Sequence, residues 1–376
     1  MRILQLVYSL DVGGLEQVVV NLCRGLDQGG VDCFVGCLSH PGPKFEETKP
    51  KGYWIGGLQN KRPRFLDLTT LWKLCRYLRR ERIEFIHSHN PVAHLYGSVA
   101  SMITGIPHIQ TVHGRGSPMA RNYQRRAWLR RTLTRFTQKM VAVSFDVERK
   151  LIDIDRLPPS KILTILNGID TETIRPVDSA TKRQLRRERG IPDEALVIGS
   201  VGRLASEKNY PLLVEAFAKA LQQAPTAYLL LVGDGIERAI IEKAVATCRV
   251  NHRCLLAGVQ AQSNLWLQCC DLFCLSSNTE GTSISLLEAM SCGVPVVATD
   301  AGGNREIVQP PTCGLIVPVR DSQALAKACL ELLHNPLLRK QMGTAGRQRV
   351  IQNFSVEMMT ENYARLYDEL LSRKSA

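Results

Sequence analysis

Two acids, two cations and a histidine are the side chains best suited to act on a ligand. Glu280 and Glu288 stand eight residues apart in the stretch Ser276–Glu306. Each carboxylate can accept hydrogen bonds from a vicinal diol. If the stretch were helical throughout, they would lie roughly 12 Å apart. Ser283 and Ser285 suit the start of a helix expected over Thr282–Cys292, whose free amides and positive dipole end favour a phosphate. Two diol readers flanking an anion-binding helix end describe a nucleotide-sugar site. An ordinary surface helix carrying one Glu for its dipole and another for solubility fits the same spacing. Arg203 and Lys208 flank a second strand-to-helix loop, Val201–Asn209. There they could neutralise a diphosphate by charge-assisted hydrogen bonds, or form an exposed salt-bridged loop.

These residues need a scaffold, and the apolar pattern supplies one. In the second half, strands are expected at Leu196–Val201, Tyr228–Val232, Cys254–Leu256, Leu272–Leu275 and Val294–Ala298. In the first half they are expected at Ile3–Tyr8, Val31–Leu38, Phe85–His87, His108–Val112 and Met140–Ser144, with helices near Leu15–Leu26, Leu66–Arg82 and Val92–Ile103. Strand and helix alternate, which predicts parallel sheets covered on both faces. The first strand runs into Gly13-Gly14, where missing side chains allow close backbone approach to a phosphate or a tight turn. The full Gly-x-Gly-x-x-Gly dinucleotide fingerprint is not there. His87, His89 and His113 fall at carboxyl ends of strands, where α/β sheets place ligands. His87-Ser-His89 could also bind metal, but it has no third ligand nearby and reads better as a polar strand end.

Composition narrows the class. At 376 residues the chain suits two α/β domains, and 44% hydrophobic with 22% charged residues is globular. No apolar run reaches the length of a membrane span. The apolar start runs into Asp11 without a cleavage site, so it reads as a strand and not a signal peptide. Twelve cysteines without a Cys-x2-Cys pair read as reduced core residues in a cytoplasmic protein. The net charge of +13 is concentrated in residues 1–170, with 25 Lys and Arg against 14 Asp and Glu. Such a basic half calls for an anionic partner. Residues 115–139 hold Arg115, Arg121, Arg125, Arg126, Arg130, Arg131, Arg135 and Lys139 and no acid, with Trp128, Leu129, Leu133, Phe136 and Met140 near helical spacing. This reads as a basic amphipathic helix, for a membrane surface or packed on the sheet. No nucleic-acid motif accompanies the arginines.

The motifs taken together resemble one family. Glu280-x7-Glu288, Ala-Met-x-Cys-Gly-Val-Pro-Val-Val-Ala and Gly302-Gly303-x-x-Glu306 are similar to the signature of retaining GT4-type glycosyltransferases. Gly-Gly-Leu-Glu at 13–16, Thr-Val-His113-Gly and Gly202-Arg-Leu-x-x-Glu-Lys208-Asn also resemble that family's motifs. The resemblance covers nearly the whole chain. It implies the GT-B fold: two facing Rossmann-like domains, an acceptor domain at 1–177 and a donor domain at 191–354, with a carboxyl-terminal helix at 355–376 crossing back to the first. It implies metal-independent, retaining transfer of a sugar from a nucleotide diphosphate, UDP favoured over GDP, to an acceptor hydroxyl, with the nucleotide sugar as substrate and no separate cofactor. Glu280 would hold donor-sugar hydroxyls, Glu288 the ribose diol, and His113 the transferred sugar. Arg203 and Lys208 would stabilise the diphosphate, helped by backbone near Gly13, Gly14, Ser283 and Ser285. A lipid-linked or cell-surface glycan acceptor, as in bacterial polysaccharide assembly at the inner membrane face, fits the basic first half. Where family members often carry Phe-Gly after the first Glu-Gly, this chain has Thr282-Ser283, which bears on donor-sugar preference. Asp153-Ile-Asp155 resembles the metal motif of the other glycosyltransferase fold, but lies far from these elements and reads as surface charge. An epimerase on the same fold and a non-catalytic membrane- or polysaccharide-binding member are the alternatives.

Overall fold

The alternating apolar runs become the strands of two parallel sheets. The computed structural model describes residues 1–11, 13–48, 52–56, 66–114 and 123–375, with side chains for all of these except 123–126 and 373–375. Two compact units are present, Met1–Gly168 with Val356–Ala376, and Ile169–Ser355.

In the first unit the strands are β1 (Arg2–Val7), β2 (Asp32–Cys37), β3 (Gly52–Trp54), β4 (Phe85–Ser88), β5 (His108–Val112), β6 (Lys139–Ala142) and β7 (Ile162–Thr164). Among the described residues they form a seven-stranded sheet in the order β3-β2-β1-β4-β5-β6-β7, every pair parallel. The helices are α1 (Gly14–Gln28), α2 (Leu68–Arg80), α3 (Pro91–Thr104), α4 (Tyr123–Thr134) and α5 (Phe145–Asp153). Local chemistry sets their ends. Asp67 accepts from the amides of Thr69 and Thr70 at the start of α2, and Asn90 caps α3 ahead of Pro91. Gly105 closes α3 in the left-handed conformation at φ 71°. The core of this unit buries Leu4, Leu6, Leu74, Leu78, Ile86 and Tyr96.

In the second unit the strands are β8 (Leu196–Val201), β9 (Ala227–Val232), β10 (Cys254–Leu256), β11 (Leu272–Leu275), β12 (Val296–Thr299) and β13 (Gly314–Val317). Its helices are α6 (Ser179–Glu188), α7 (Tyr210–Leu221), α8 (Arg238–Thr247), α9 (Ser263–Leu267), α10 (Ile284–Ser291), α11 (Asn304–Val308), α12 (Ser322–His334) and α13 (Pro336–Asn353). The sheet order is β10-β9-β8-β11-β12-β13, again parallel. Leu213, Phe217, Leu229, Cys274, Leu325 and Leu332 are among the residues that fill its core. The last helix, α14 (Val356–Ser375), packs on α1 in the first unit. Tyr363 and Tyr367 on it are fully buried.

Several expectations change. The helix after Glu280 starts at Ile284 and not at Thr282, so Glu280 sits in a loop and the helical spacing to Glu288 does not apply. In the basic segment, α4 ends at Thr134 and Met140 belongs to β6. The expected apolar stripe is broken, because Trp128 and Phe136 are exposed while Ala127 and Leu133 are buried. Arg115 and Arg121 lie outside the described residues, as do the side chains of Arg125 and Arg126. Asp155 is not surface charge: it is fully buried, with Arg130 on its carboxylate and Arg131 on its carbonyl. All twelve cysteines are free, ten of them buried. Among the described residues no helix is long and apolar enough to cross a membrane.

Candidate active site

Counted from β8, the second sheet runs 3-2-1-4-5-6, so its order reverses between β8 and β11. Loops leaving the carboxyl ends of those two strands diverge there and leave a crevice. Val201–Asn209 follows β8 and Ser276–Ser283 follows β11. This is why residues 72 positions apart meet: Lys208 Nζ donates to Glu280 Oε1 at 2.7 Å, with both side chains largely buried. Ser277 Oγ donates to the same carboxylate oxygen at 2.5 Å. Ser276 Oγ ties the loops together, donating to the carbonyls of Lys208 and Asn209 at 2.9 and 3.0 Å. Below them Thr299 Oγ1 donates to the Ser277 carbonyl at 2.6 Å.

Gly302 presses the next loop against the backbone of Glu280. Its φ is +56°, and a Cβ there would stand 2.0 Å from the Glu280 carbonyl oxygen. The adjacent Gly303 amide donates to the Gly281 carbonyl at 3.1 Å. Only glycine permits both the conformation and the approach.

Ser283 occupies the N-cap of α10, but its side chain caps no helix amide and instead meets Ser285 Oγ at 3.3 Å. First-turn donors of α10 are therefore left for another acceptor. Glu288 lies one turn further on, partly exposed on α10. Its charge helps push the buried Cys292 thiol up to about 12, after the larger effect of burial. Arg203 is not drawn in to Glu280. It is 71% exposed and pairs with Glu207 Oε1 at 2.8 Å. An exposed pair of this kind is weak, so the guanidinium can leave it for a stronger anion.

The first sheet also reverses, between β1 and β4. Gly13 caps α1 in extended backbone at φ −170°, and Gly14 opens the helix, so neither needs a left-handed conformation. A Cβ on Gly13 would instead meet Glu16 Oε2 at 2.3 Å. His113 follows β5, and its Nε2 lies 3.0 Å from His89 Nδ1. Both line a cavity of about 130 Å³ with Leu15, Asn90, Gln110 and Arg130. Burial pushes His113 down to about 3, so its ring is neutral at pH 7. His87 spends both nitrogens inside the protein, Nδ1 with Tyr367 Oη and Nε2 with Thr111 Oγ1, each at 2.7 Å. It therefore has no lone pair left for a metal. A wider depression of about 380 Å³ lies at the amino-terminal ends of β5 and β6, near Met102, Pro107 and Lys161, away from these residues.

The structure thus brings Lys208 and Glu280 together, places Ser283, Ser285 and Glu288 along the helix that follows, and leaves Arg203 outside. Sequence reading missed Ser277, Thr299 and His89 as partners. Ser277 and Thr299 carried no motif of their own, whereas the histidine spacing had already marked His89.

Both halves match known families. Residues 181–349 match the glycosyl transferases group 1, and residues 12–173 match Glycosyltransferase Family 4. N-acetyl-alpha-D-glucosaminyl L-malate synthase of Bacillus anthracis is 30% identical over 316 residues, covering 81% of this chain and 80% of that protein. The UDP-Gal:alpha-D-GlcNAc-diphosphoundecaprenol alpha-1,3-galactosyltransferase of Escherichia coli is 24% identical, covering 82% and 81%. Among solved structures, Anabaena HepE in complex with UDP-glucose superposes with a TM-score of 0.86 at 22% identity, covering 98% of this chain and 100% of that one. With a relative of that identity and coverage, matches across both halves and a fold shared with a GT-B neighbour, the chain belongs to the group 1 glycosyl transferases of glycosyltransferase family 4 and has the GT-B fold.

Proposed function

We propose that this glycosyltransferase moves a sugar from a nucleotide diphosphate, UDP favoured over GDP, to the hydroxyl of a lipid-linked or cell-surface glycan, with retention at the anomeric carbon and without a metal. The observation that carries the reading is the Lys208–Glu280–Ser277 cluster beside the uncapped start of α10. Glu280, held by Lys208 and Ser277, accepts from donor-sugar hydroxyls through its remaining lone pairs. Lys208, and Arg203 once released from Glu207, compensate the charge developing on the leaving diphosphate, together with amides of α10 near Ser283 and Ser285. Glu288 accepts from the ribose diol. Gly13 and Gly14 let backbone approach the diphosphate, and His113 contacts the transferred sugar. The bond from the anomeric carbon to the diphosphate oxygen breaks, the acceptor oxygen takes its place on the same face, and the acceptor proton passes to the leaving phosphate. The UDP-glucose complex of the Anabaena neighbour supports a UDP donor, and the lipid diphosphate acceptor named for the Escherichia coli relative supports a lipid-linked one.

A lipid-linked acceptor calls for work at a membrane, and α2 suits that contact better than α4. Its outer face exposes Leu68 and Trp72 one turn apart, with Arg76 over the Trp72 ring at 5.3 Å. Lys73, Arg79 and Arg80 flank them, and α2 contains no acid. Such a face fits an anionic lipid surface.

Thermal shift in EDTA with UDP, GDP, ADP and CMP tests the donor site. A rise selective for UDP is expected, and no shift with any nucleotide would sink the reading.

A further inference from the structure

We propose that Gln5 and His89 are positioning residues that hold His113 as its Nε2–H tautomer, so that His113 Nδ1 offers a lone pair to a ligand hydroxyl. This rests on the role given above to His113, and goes further by fixing which atom acts and on what chemistry.

The relay is anchored in α14. Gln5 Nε2 donates to Tyr367 Oη at 3.3 Å, which turns Gln5 Oε1 toward His89 Nε2 at 2.7 Å. An amide oxygen only accepts, so His89 Nε2 carries a proton. His89 is 1% exposed, with its ring tilted against that of His87 at a centroid distance of 4.0 Å. Burial, with His87 and His113 adding to it, keeps His89 neutral. A neutral imidazole protonated at Nε2 has a bare Nδ1. That atom lies 3.0 Å from His113 Nε2, so His113 must be the donor between them.

His113 is neutral as well, and its proton is committed to His89. Its Nδ1 is then an acceptor, buried and without a hydrogen-bond partner among the described residues. The ring forms part of the wall of the 130 Å³ cavity. A hydroxyl can donate to such an atom, whereas a fully ionised phosphate oxygen cannot. That atom therefore selects a ligand group that can donate a proton, such as a hydroxyl, over one that can only accept. The opposite tautomer would reverse that preference.

The test uses the full chain labelled with 15N-histidine and long-range proton–nitrogen correlation at pH 7.5, the His113 signals being identified by their loss in His113→Gln. The wild type is expected to show a proton-bearing Nε2 and a bare Nδ1 at His113. Gln5→Leu removes the acceptor that orders His89, and is expected to give a mixture of His113 tautomers, whereas Gln5→Glu keeps an acceptor and keeps the wild-type form. Glucose is expected to move the Nδ1 signal and inorganic sulfate, which carries no proton at this pH, to leave it in place. A proton on His113 Nδ1 in the wild type, an unchanged tautomer in folded Gln5→Leu, or a response to sulfate instead of glucose overturns the proposal. If Gln5→Leu does not fold, the wild-type spectrum and the two titrations decide. None of these signals depends on turnover, so failed sugar transfer with an intact relay would count against the transferase reading alone.

Discussion

Lys208 Nζ stands 2.7 Å from Glu280 Oε1, and the two residues are 72 positions apart in the chain. Removing either member leaves the other charged in a largely buried place. Glu280→Gln and Lys208→Met are each expected to lower kcat by about 100-fold or more. Because they share one interaction, the double variant should fall well short of the product of the two losses. Initial rates of sugar transfer for the four proteins measure this, and full additivity would argue that the pair does not act as a unit.

Gly302→Ala tests the loop pressed on Glu280. The new Cβ would stand 2.0 Å from a backbone oxygen, at a φ of +56°. Backbone must shift, so a loss of roughly 1–3 kcal/mol in stability is expected, with a fall in kcat as Glu280 is displaced. Urea unfolding and rate assays separate the two effects. Wild-type values for both would show that the loop yields at no cost.

Five histidines of the first unit, His87, His89, His94, His108 and His113, are held neutral by burial, with His108 and His113 down to about 3. The unfolded chain takes up their protons near pH 6.5, whereas the folded chain resists until far lower. Their contribution to stability is therefore complete above pH 6.5 and is lost as pH falls toward 3, at up to about 1.4 kcal/mol per pH unit for each group. Urea titrations at pH 7.5, 6.5 and 5.5 should show stability falling over that range. In His108→Gln the slope should be shallower by about one proton.

Arg130 and Asp155 make a pair inside the first unit, the carboxylate fully buried. Arg130→Met strands that charge and should destabilise the protein by about 3–5 kcal/mol. Arg130→Met with Asp155→Leu should recover much of the loss. Chemical denaturation of the three proteins measures it, and a near-neutral single variant would return Asp155 to the role of surface charge.

Trp72→Ser combined with Arg76→Ser on α2 should weaken binding to vesicles rich in phosphatidylglycerol by about 10-fold or more, with little effect on pure phosphatidylcholine. Co-sedimentation at two salt concentrations reads this out. Equal binding by wild type and variant would place the membrane contact elsewhere.

Periodicity and motif spacing made much of the fold legible. Strands Leu196–Val201, Cys254–Leu256, Leu272–Leu275 and His108–Val112 lie where the apolar runs put them, because a buried parallel strand must be apolar on both faces. The short edge strand Gly52–Trp54 has too little apolar run to announce itself. The strand Gly314–Val317 and the helices α12 and α13 were equally unmarked, carrying no motif that drew the eye. Around the candidate site, spacing and charge marked Glu280 and Lys208 as residue types suited to a nucleotide sugar, while the role expected of His113 came from the resemblance of Thr-Val-His-Gly to the family's motif.

What the sequence by itself determined was the class: alternating strands and helices, glycine-bearing loops and charged residues at strand ends, all of which follow from local pattern. Which side chains face one another was decided only by the tertiary structure. The reversal of sheet order between β8 and β11 brings Lys208 to Glu280, while Arg203 turns outward to Glu207. Burial takes Asp155 into the interior with Arg130, and α14 returns to β1 so that Tyr367 can hold Gln5. Such pairings depend on contacts between residues far apart in the chain, set by how strands are ordered and what is withdrawn from water, and no local spacing encodes them.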